Sequence, residues 1–314
     1  MLGNSKAISK RHMMSRLLCA CLVCALALSS ACAAGSTAPS ASASPEATVN
    51  TEAAVDPNAP AAQSATADPN ATPTITPTPE LVDLSQYQTL PLPQLDPTPD
   101  GEEIAVLHTD LGDMKIRFFP DFAPNAVQNF KTLAKSNYFD GNIFNQVVAN
   151  QYVRSGDPTG TGTGGQSMWG QPFPAETSPC LHNIYGAVTM MRGQQDNTQG
   201  SQFLIVANKS LDDAAKAELE AYKDKQDQVM ATTSDGTKVP YAQVFPTKIL
   251  DKYIQGGGMP GIDLYFTVFG QVIDGFDALD KIAAVQTSQE DATKDKPLAD
   301  IKINSVTFEN YKAK

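Results

Sequence analysis

The sequence predicts a mainly β domain, a closed antiparallel barrel capped by helices. Three observations carry that prediction. Short apolar runs recur at Ile104–Thr109, Met114–Phe119, Phe144–Val148, Tyr152–Arg154, Ala187–Met191, Phe203–Ala207 and Phe266–Val272. Glycine- and asparagine-rich turns separate them, as strands joined by tight connections require. Few segments show helical spacing.

The chain opens differently. Met1–Ala31 carries Lys6, Lys10, Arg11 and Arg16, then the apolar run Leu17–Leu28 and small residues. A basic start, an apolar stretch too short to span a bilayer and a small-residue exit make a secretory signal. "LSSAC", ending at Cys32, resembles the lipobox of bacterial lipoproteins. It departs from that pattern at Ser29, where a branched apolar residue is preferred, with Leu28 one place further out. A lipidated Cys32 implies anchoring on the outer face of a membrane; plain secretion is the alternative. Cys19, Cys21 and Cys24 lie in the signal, so a lipidated Cys32 leaves Cys180 without an intramolecular partner. Removing the signal takes away four basic and no acidic residues, which leaves 19 basic against 34 acidic, a net charge of −15. Such a surface repels nucleic acid, and the membrane enters only through the N-terminal lipid.

Residues 32–102 are Ala-, Ser-, Thr- and Pro-rich and nearly free of large apolar side chains before Leu81. They are expected to form a disordered tether, reaching roughly 200 Å at about 3.1 Å per residue if fully extended. The folded domain is expected over 103–314. "IAVLHT" and "MKIRFF" read as two strands joined by a turn at Asp110–Asp113. Pro124 suits a first helical turn, and Ala126, Val127, Phe130, Leu133 and Ala134 follow at helical spacing. "GFDALDKIAAV" is a second helical pattern, ahead of a last strand, "IKINSVTFEN". Between them an insertion, about 211–260, interrupts the rhythm. Its segment Leu211–Met230 sets Leu211, Ala215, Leu219, Tyr222 and Val229 near one helical face. That is an inserted helix lying against the barrel.

"GDPTGTGTGGQSMWG" holds Gly160, Gly162 and Gly165 at dinucleotide-loop spacing. A phosphate loop needs a helix N-terminus directly after it. Trp169, Gly170, Pro172 and Pro174 follow instead, so these glycines serve backbone shape.

Four segments then identify a family: "APNAVQNFKTLAKSNYFDGNIFNQVV", the glycine stretch, "YGAVTMMRGQQDNTQGSQFLIV" and "FTVFGQVIDGFDALDKI". In this order they resemble cyclophilin-type peptidyl-prolyl cis-trans isomerases over roughly Ile104–Phe308. The resemblance implies an eight-stranded barrel with a helix at each end and a groove on its outer wall, where X-Pro amides of exported proteins are twisted. Such catalysis needs an apolar pocket and hydrogen-bond donors, with no metal or cofactor. His12, His108 and His182 are too scattered for a zinc site or a triad.

Carried over residue by residue, the groove departs from the family. Its catalytic arginine falls at Gln146, its pocket phenylalanine at Gln151, the following methionine at Tyr152 and a groove glutamine at Arg154. The later glutamine is retained as Gln202. Leu204, Ile262 and Phe266 stand for the pocket aromatic, leucine and histidine, with Phe144 as a further contact. A neutral amide in place of a charged donor forfeits about 1–2 kcal/mol, roughly a ten- to thirtyfold fall in rate. Arg154 has the parity of Gln146 and is expected to restore a cation to the groove; Arg192 is a second candidate. The alternative is a barrel that binds proline segments without turning them over.

Overall fold

The computed structural model describes residues 79–193, 198–233 and 235–313. Eight strands form one antiparallel sheet: β1 (Glu103–Thr109), β2 (Gly112–Phe118), β3 (Gln146–Val148), β4 (Tyr152–Ser155), β5 (Ala187–Met190), β6 (Phe203–Val206), β9 (Thr267–Asp274) and β10 (Ile303–Asn310). Their spatial order is β10-β1-β2-β9-β5-β6-β4-β3. The sheet curls into a half-barrel. Its ladder ends at β3 and β10, and a shorter contact joins the segments preceding those two strands. There Gly141 N donates to Ile303 O (2.8 Å), Ile303 N to Asn142 O (2.8 Å) and Phe144 N to Ile301 O (2.9 Å).

Alternation along the strands builds two apolar faces. Val147, Val153, Met190, Phe203, Ile205 and Phe269 point into the curl and join the main core. Ala187, Leu204, Val206 and Val268 point outward into a second buried cluster with Phe119 and Leu181. Helix α1 (Pro124–Lys135) fills one end of the curl. Its Phe130 ring lies 5.0 Å from Phe139 and 5.4 Å from both Phe203 and Phe269. Replacing such a side chain with alanine costs about 3–5 kcal/mol. Proline occupies the first turn of α1 as expected, and Ala123 offers no side-chain cap. A distant carboxylate caps the helix instead: Glu176 accepts from Asn125 N (3.0 Å) and Ala126 N (2.9 Å).

The insertion is more elaborate than one helix. Helix α2 (Asp213–Lys223) ends seven residues before Met230, and Val229 begins a hairpin of β7 (Val229–Thr232) and β8 (Lys238–Pro240). Helix α3 (Thr247–Gly256) follows, and α4 (Phe276–Ala283) comes after β9. Leu211, Leu219, Val244, Phe245, Ile249, Leu250 and Tyr253 form a core of the insertion's own. The helical spacing of Ala215, Leu219 and Tyr222 is real; Leu211 lies just ahead of the N-cap Asp212, and Val229 belongs to a strand.

A second correction concerns the tether. Residues from Glu80 onward, expected to lie within it, are knitted to the insertion. Val82 N donates to Asp227 O (2.8 Å), Val229 N to Glu80 O (2.8 Å) and the Tyr87 hydroxyl to Lys238 O (2.7 Å). Leu92 and Leu95 pack on the insertion's core. Gln94 accepts from His182 N (2.6 Å) and donates to His182 O (2.9 Å). This strap, Glu80–Asp96, places the start of the folded unit about two dozen residues ahead of Glu103.

Candidate active site

The outward face of β3, β4 and β6 sets the geometry. Gln146 pairs with Arg154, Arg154 with Leu204, Leu204 with Thr189, and Thr189 with Val268, in one row across five strands. No bulge interrupts β3–β4 or β4–β6. Facing residues in unbroken ladders share a side of the sheet, so Arg154 and Gln146 stand side by side, as their parity predicts. Tyr152 is on the same side, and its hydroxyl donates to Gln146 Oε1 (3.2 Å).

Arg154 is half-buried and held in place. Its Nε donates to Asn145 Oδ1 (3.2 Å). Burial lowers its pKa from the ordinary value, and the nearby Tyr152 and Asp157 oppose that shift. The Tyr152 phenol is pushed up, by burial above all. Arg154, Arg192 and Gln202 line one cavity of about 280 Å³, together with Gly162–Gly165, Met191 and Thr198. The guanidinium of Arg192 lies over the Tyr265 ring at 4.4 Å, and its Nη1 donates to Tyr265 O (3.1 Å). Three of the expected site residues thus meet at one concavity.

The glycine loop forms a wall of this cavity, and one carboxylate shapes it. Buried Asp157 accepts from Thr159 N (2.8 Å), Thr159 Oγ1 (2.8 Å), Gly162 N (2.7 Å) and Gly164 N (3.0 Å). Gly160, Gly162 and Gly165 have φ of +67°, +84° and +94°, conformations that favour glycine. At Gly162 a Cβ would also collide with Arg154 Nη2. Gln202 braces the loop from β6's approach: its Nε2 donates to Gly162 O (3.2 Å) and Gly164 O (2.7 Å). Both of its N–H groups are engaged there, so its free polar atom is the acceptor Oε1.

Other expected contacts fall elsewhere. Phe144 is 1 % exposed and belongs to the main core, not the groove. Gln151 is exposed at the β3–β4 turn and lines none of the cavity above. Leu204 is 2 % exposed, roofed by Phe122, Tyr152, Met191 and Met259; it is floor rather than surface. Ile262 and Phe266 are half-buried on the segment between α3 and β9. Cys32 lies outside the described residues. Two residues escaped sequence reasoning, Asn145 and Asp157. The alternating Thr-Gly run after Asp157 was the available signal, since short polar side chains there bond back to a leading aspartate.

The sequence model of the family described as "Cyclophilin type peptidyl-prolyl cis-trans isomerase/CLD" matches residues 104–308. A Staphylococcus saprophyticus protein assigned by name to the peptidyl-prolyl cis-trans isomerases is 38% identical over 215 residues, 68% of this chain and 96% of its own. A Staphylococcus aureus protein of the same name is 38% identical over 218 residues, 69% of this chain and 98% of its own. Among solved structures, a Cryptosporidium parvum cyclophilin-type isomerase aligns with a TM-score of 0.49 and 23% identity, covering 67% of this chain and 99% of its own. With its own fold a curled eight-stranded antiparallel sheet, the chain belongs to the cyclophilin-type peptidyl-prolyl cis-trans isomerases.

Proposed function

We propose that this isomerase twists X-Pro amides in the outer groove of β3, β4 and β6, with Arg154 supplying the cation that Gln146 cannot. Rotation about a peptide bond meets a barrier of about 18–20 kcal/mol, because the twisted amide loses resonance. The prolyl nitrogen regains a lone pair as it twists. A donor aimed at that lone pair stabilises the twisted state more than the planar one, which is what lowers the barrier. Half-buried Tyr152, Ile262 and Phe266 give the proline ring apolar contact, and Gln202 Oε1 accepts from a backbone N–H of the substrate.

The observation that carries this reading is the direct pairing of Gln146 with Arg154 on a cavity that Arg154 itself lines. An arginine displaced by one strand is a less direct donor than one at position 146, so turnover is set below that of a groove with the family's arginine. The substrates are proline-containing segments of exported proteins, whose isomerisation unaided takes tens of seconds. The enzyme meets them on the outer face of a membrane, held there by a lipid on Cys32. The signal at Met1–Ala31 and the following Cys32 support that location.

The test is a proline-peptide isomerisation assay on the full-length protein and its Arg154→Ala variant. Loss of most activity is expected; an unchanged rate would overturn the proposal. Mass spectrometry of the mature N-terminus decides the anchor. A diacylated Cys32 is expected, and a free N-terminus beyond the signal would make the protein a secreted one.

A further inference from the structure

Behind the groove lies a buried polar node that the isomerisation mechanism above does not use. Asp263 sits between Ile262 and Leu264, on the segment that leads from α3 to β9, and is 6 % exposed. Its Oδ1 accepts from Asn183 N (2.7 Å) and Asn183 Nδ2 (2.9 Å). Its Oδ2 accepts from the Tyr253 hydroxyl (2.6 Å) and pairs with His182 Nδ1 (2.8 Å). The other ring nitrogen of His182, Nε2, meets Pro179 O at 3.0 Å. His182 and Asp263 thus pair side chain to side chain in a buried site. Asp263 and Tyr253 are the titratable groups that face His182. Burial, and then the charge of Asp263, push the Tyr253 phenol well above its ordinary value, which keeps it a donor.

The node touches three parts of the fold. Tyr253 comes from α3 of the insertion. Asn183 Oδ1 accepts from Thr189 Oγ1 (2.8 Å), and Thr189 pairs with Leu204 in the groove row. Asn183 O accepts from Met259 N (2.8 Å), at the start of the segment that carries Ile262 and Phe266. Directly after Asp263, Leu264 adopts φ +59° and packs into the insertion's core. A left-handed leucine persists only where its surroundings over-determine it, and the four bonds to Asp263 do so.

We propose that the His182–Asp263 pair, clamped by Tyr253, is the positioning element of the segment that carries Ile262 and Phe266. It fixes those two side chains and so sets the affinity for a proline ring. The insertion is then a working part of the binding site. This rests on the groove reading given above.

Tyr253→Phe isolates the claim, because it keeps the ring in the core and removes only the hydroxyl donor. In the full-length protein, KM for a proline peptide is expected to rise about three- to tenfold with kcat little changed, since contacts from Ile262 and Phe266 bind planar and twisted substrate alike. Leu250→Ala is the control: it opens a cavity in the same core without touching the node, and should lower Tm and leave KM unmoved. If KM responds to neither variant, or to both in proportion to lost stability, the node is a stability element and the proposal fails. Arg154→Ala, measured alongside, separates the two readings. An unaffected Arg154→Ala sinks the groove, whereas a normal Arg154 effect with an unmoved Tyr253→Phe sinks only the positioning claim.

Discussion

Exchanging the Gln146–Arg154 pair tests whether the cation acts from this row of the sheet. Arg154→Gln puts a neutral amide in place of a charged donor, a loss of about 1–2 kcal/mol, or roughly ten- to thirtyfold in kcat at 1.36 kcal/mol per decade. KM should move little, because the apolar contacts at Tyr152, Ile262 and Phe266 are untouched and bind both substrate states. Gln146→Arg alone is a poorer gain than it looks. It sets a second guanidinium directly opposite Arg154, and like charges facing across strands are unfavourable. At 4 Å two such charges repel by about 1 kcal/mol in water and about 4 kcal/mol near a protein surface. The double variant, Gln146→Arg with Arg154→Gln, moves the cation without duplicating it. It is expected to match or exceed the native rate in a proline-peptide assay monitored at low temperature. The reasoning is refuted if Arg154→Gln keeps the native kcat, or if the double variant is as slow as Arg154→Gln alone.

Further outcomes follow from the same geometry. Gly162→Ala should displace the Arg154 guanidinium and lower activity, since the new methyl group collides with Nη2 and strains a left-handed residue by about 1–2 kcal/mol; parallel kinetics and thermal melting would check it. Asp157→Asn should loosen the glycine loop, because an amide presents N–H groups to Gly162 N and Gly164 N; faster amide exchange at those two positions is the readout. Burial opposes ionisation of Asp157, but bonds from Thr159, Gly164 and Gly162 outweigh it, so its carboxyl lies below the ordinary 3.8. Its stabilising contribution is therefore complete above that value and fades as pH falls through the folded-state pKa. Urea unfolding below about pH 4 should weaken in the native protein and flatten in Asp157→Asn. Gln94→Ala should lower unfolding free energy by about 1–3 kcal/mol, as it unpairs the backbone of His182; chemical denaturation measures this.

The barrel strands were legible because alternation and turn residues are local signals. So was α1, where Pro124 and the spacing of Ala126, Val127, Phe130, Leu133 and Ala134 sit within one segment. The insertion was misread for a related reason: Val229 continues the spacing of Leu219 and Tyr222, and nothing local says that the helix stops at Lys223. The strap was invisible because its prolines and small residues look like the tether before it. What orders Leu92 and Leu95 is a surface built from residues more than a hundred positions later. Within the site, the place of Arg154 followed from parity. The roles of Phe144 and Leu204 did not, because an apolar residue at a strand position fits inside and outside equally until the register is known.

The strap also decides where this protein tolerates cutting. A protease would leave an intact enzyme only by cleaving ahead of Glu80. A nick between Leu84 and Leu95 would loosen the cover that Leu92 and Leu95 give the insertion's core, expose greasy surface and invite clumping. Any shortened or fused version prepared for display or purification should accordingly begin before residue 80.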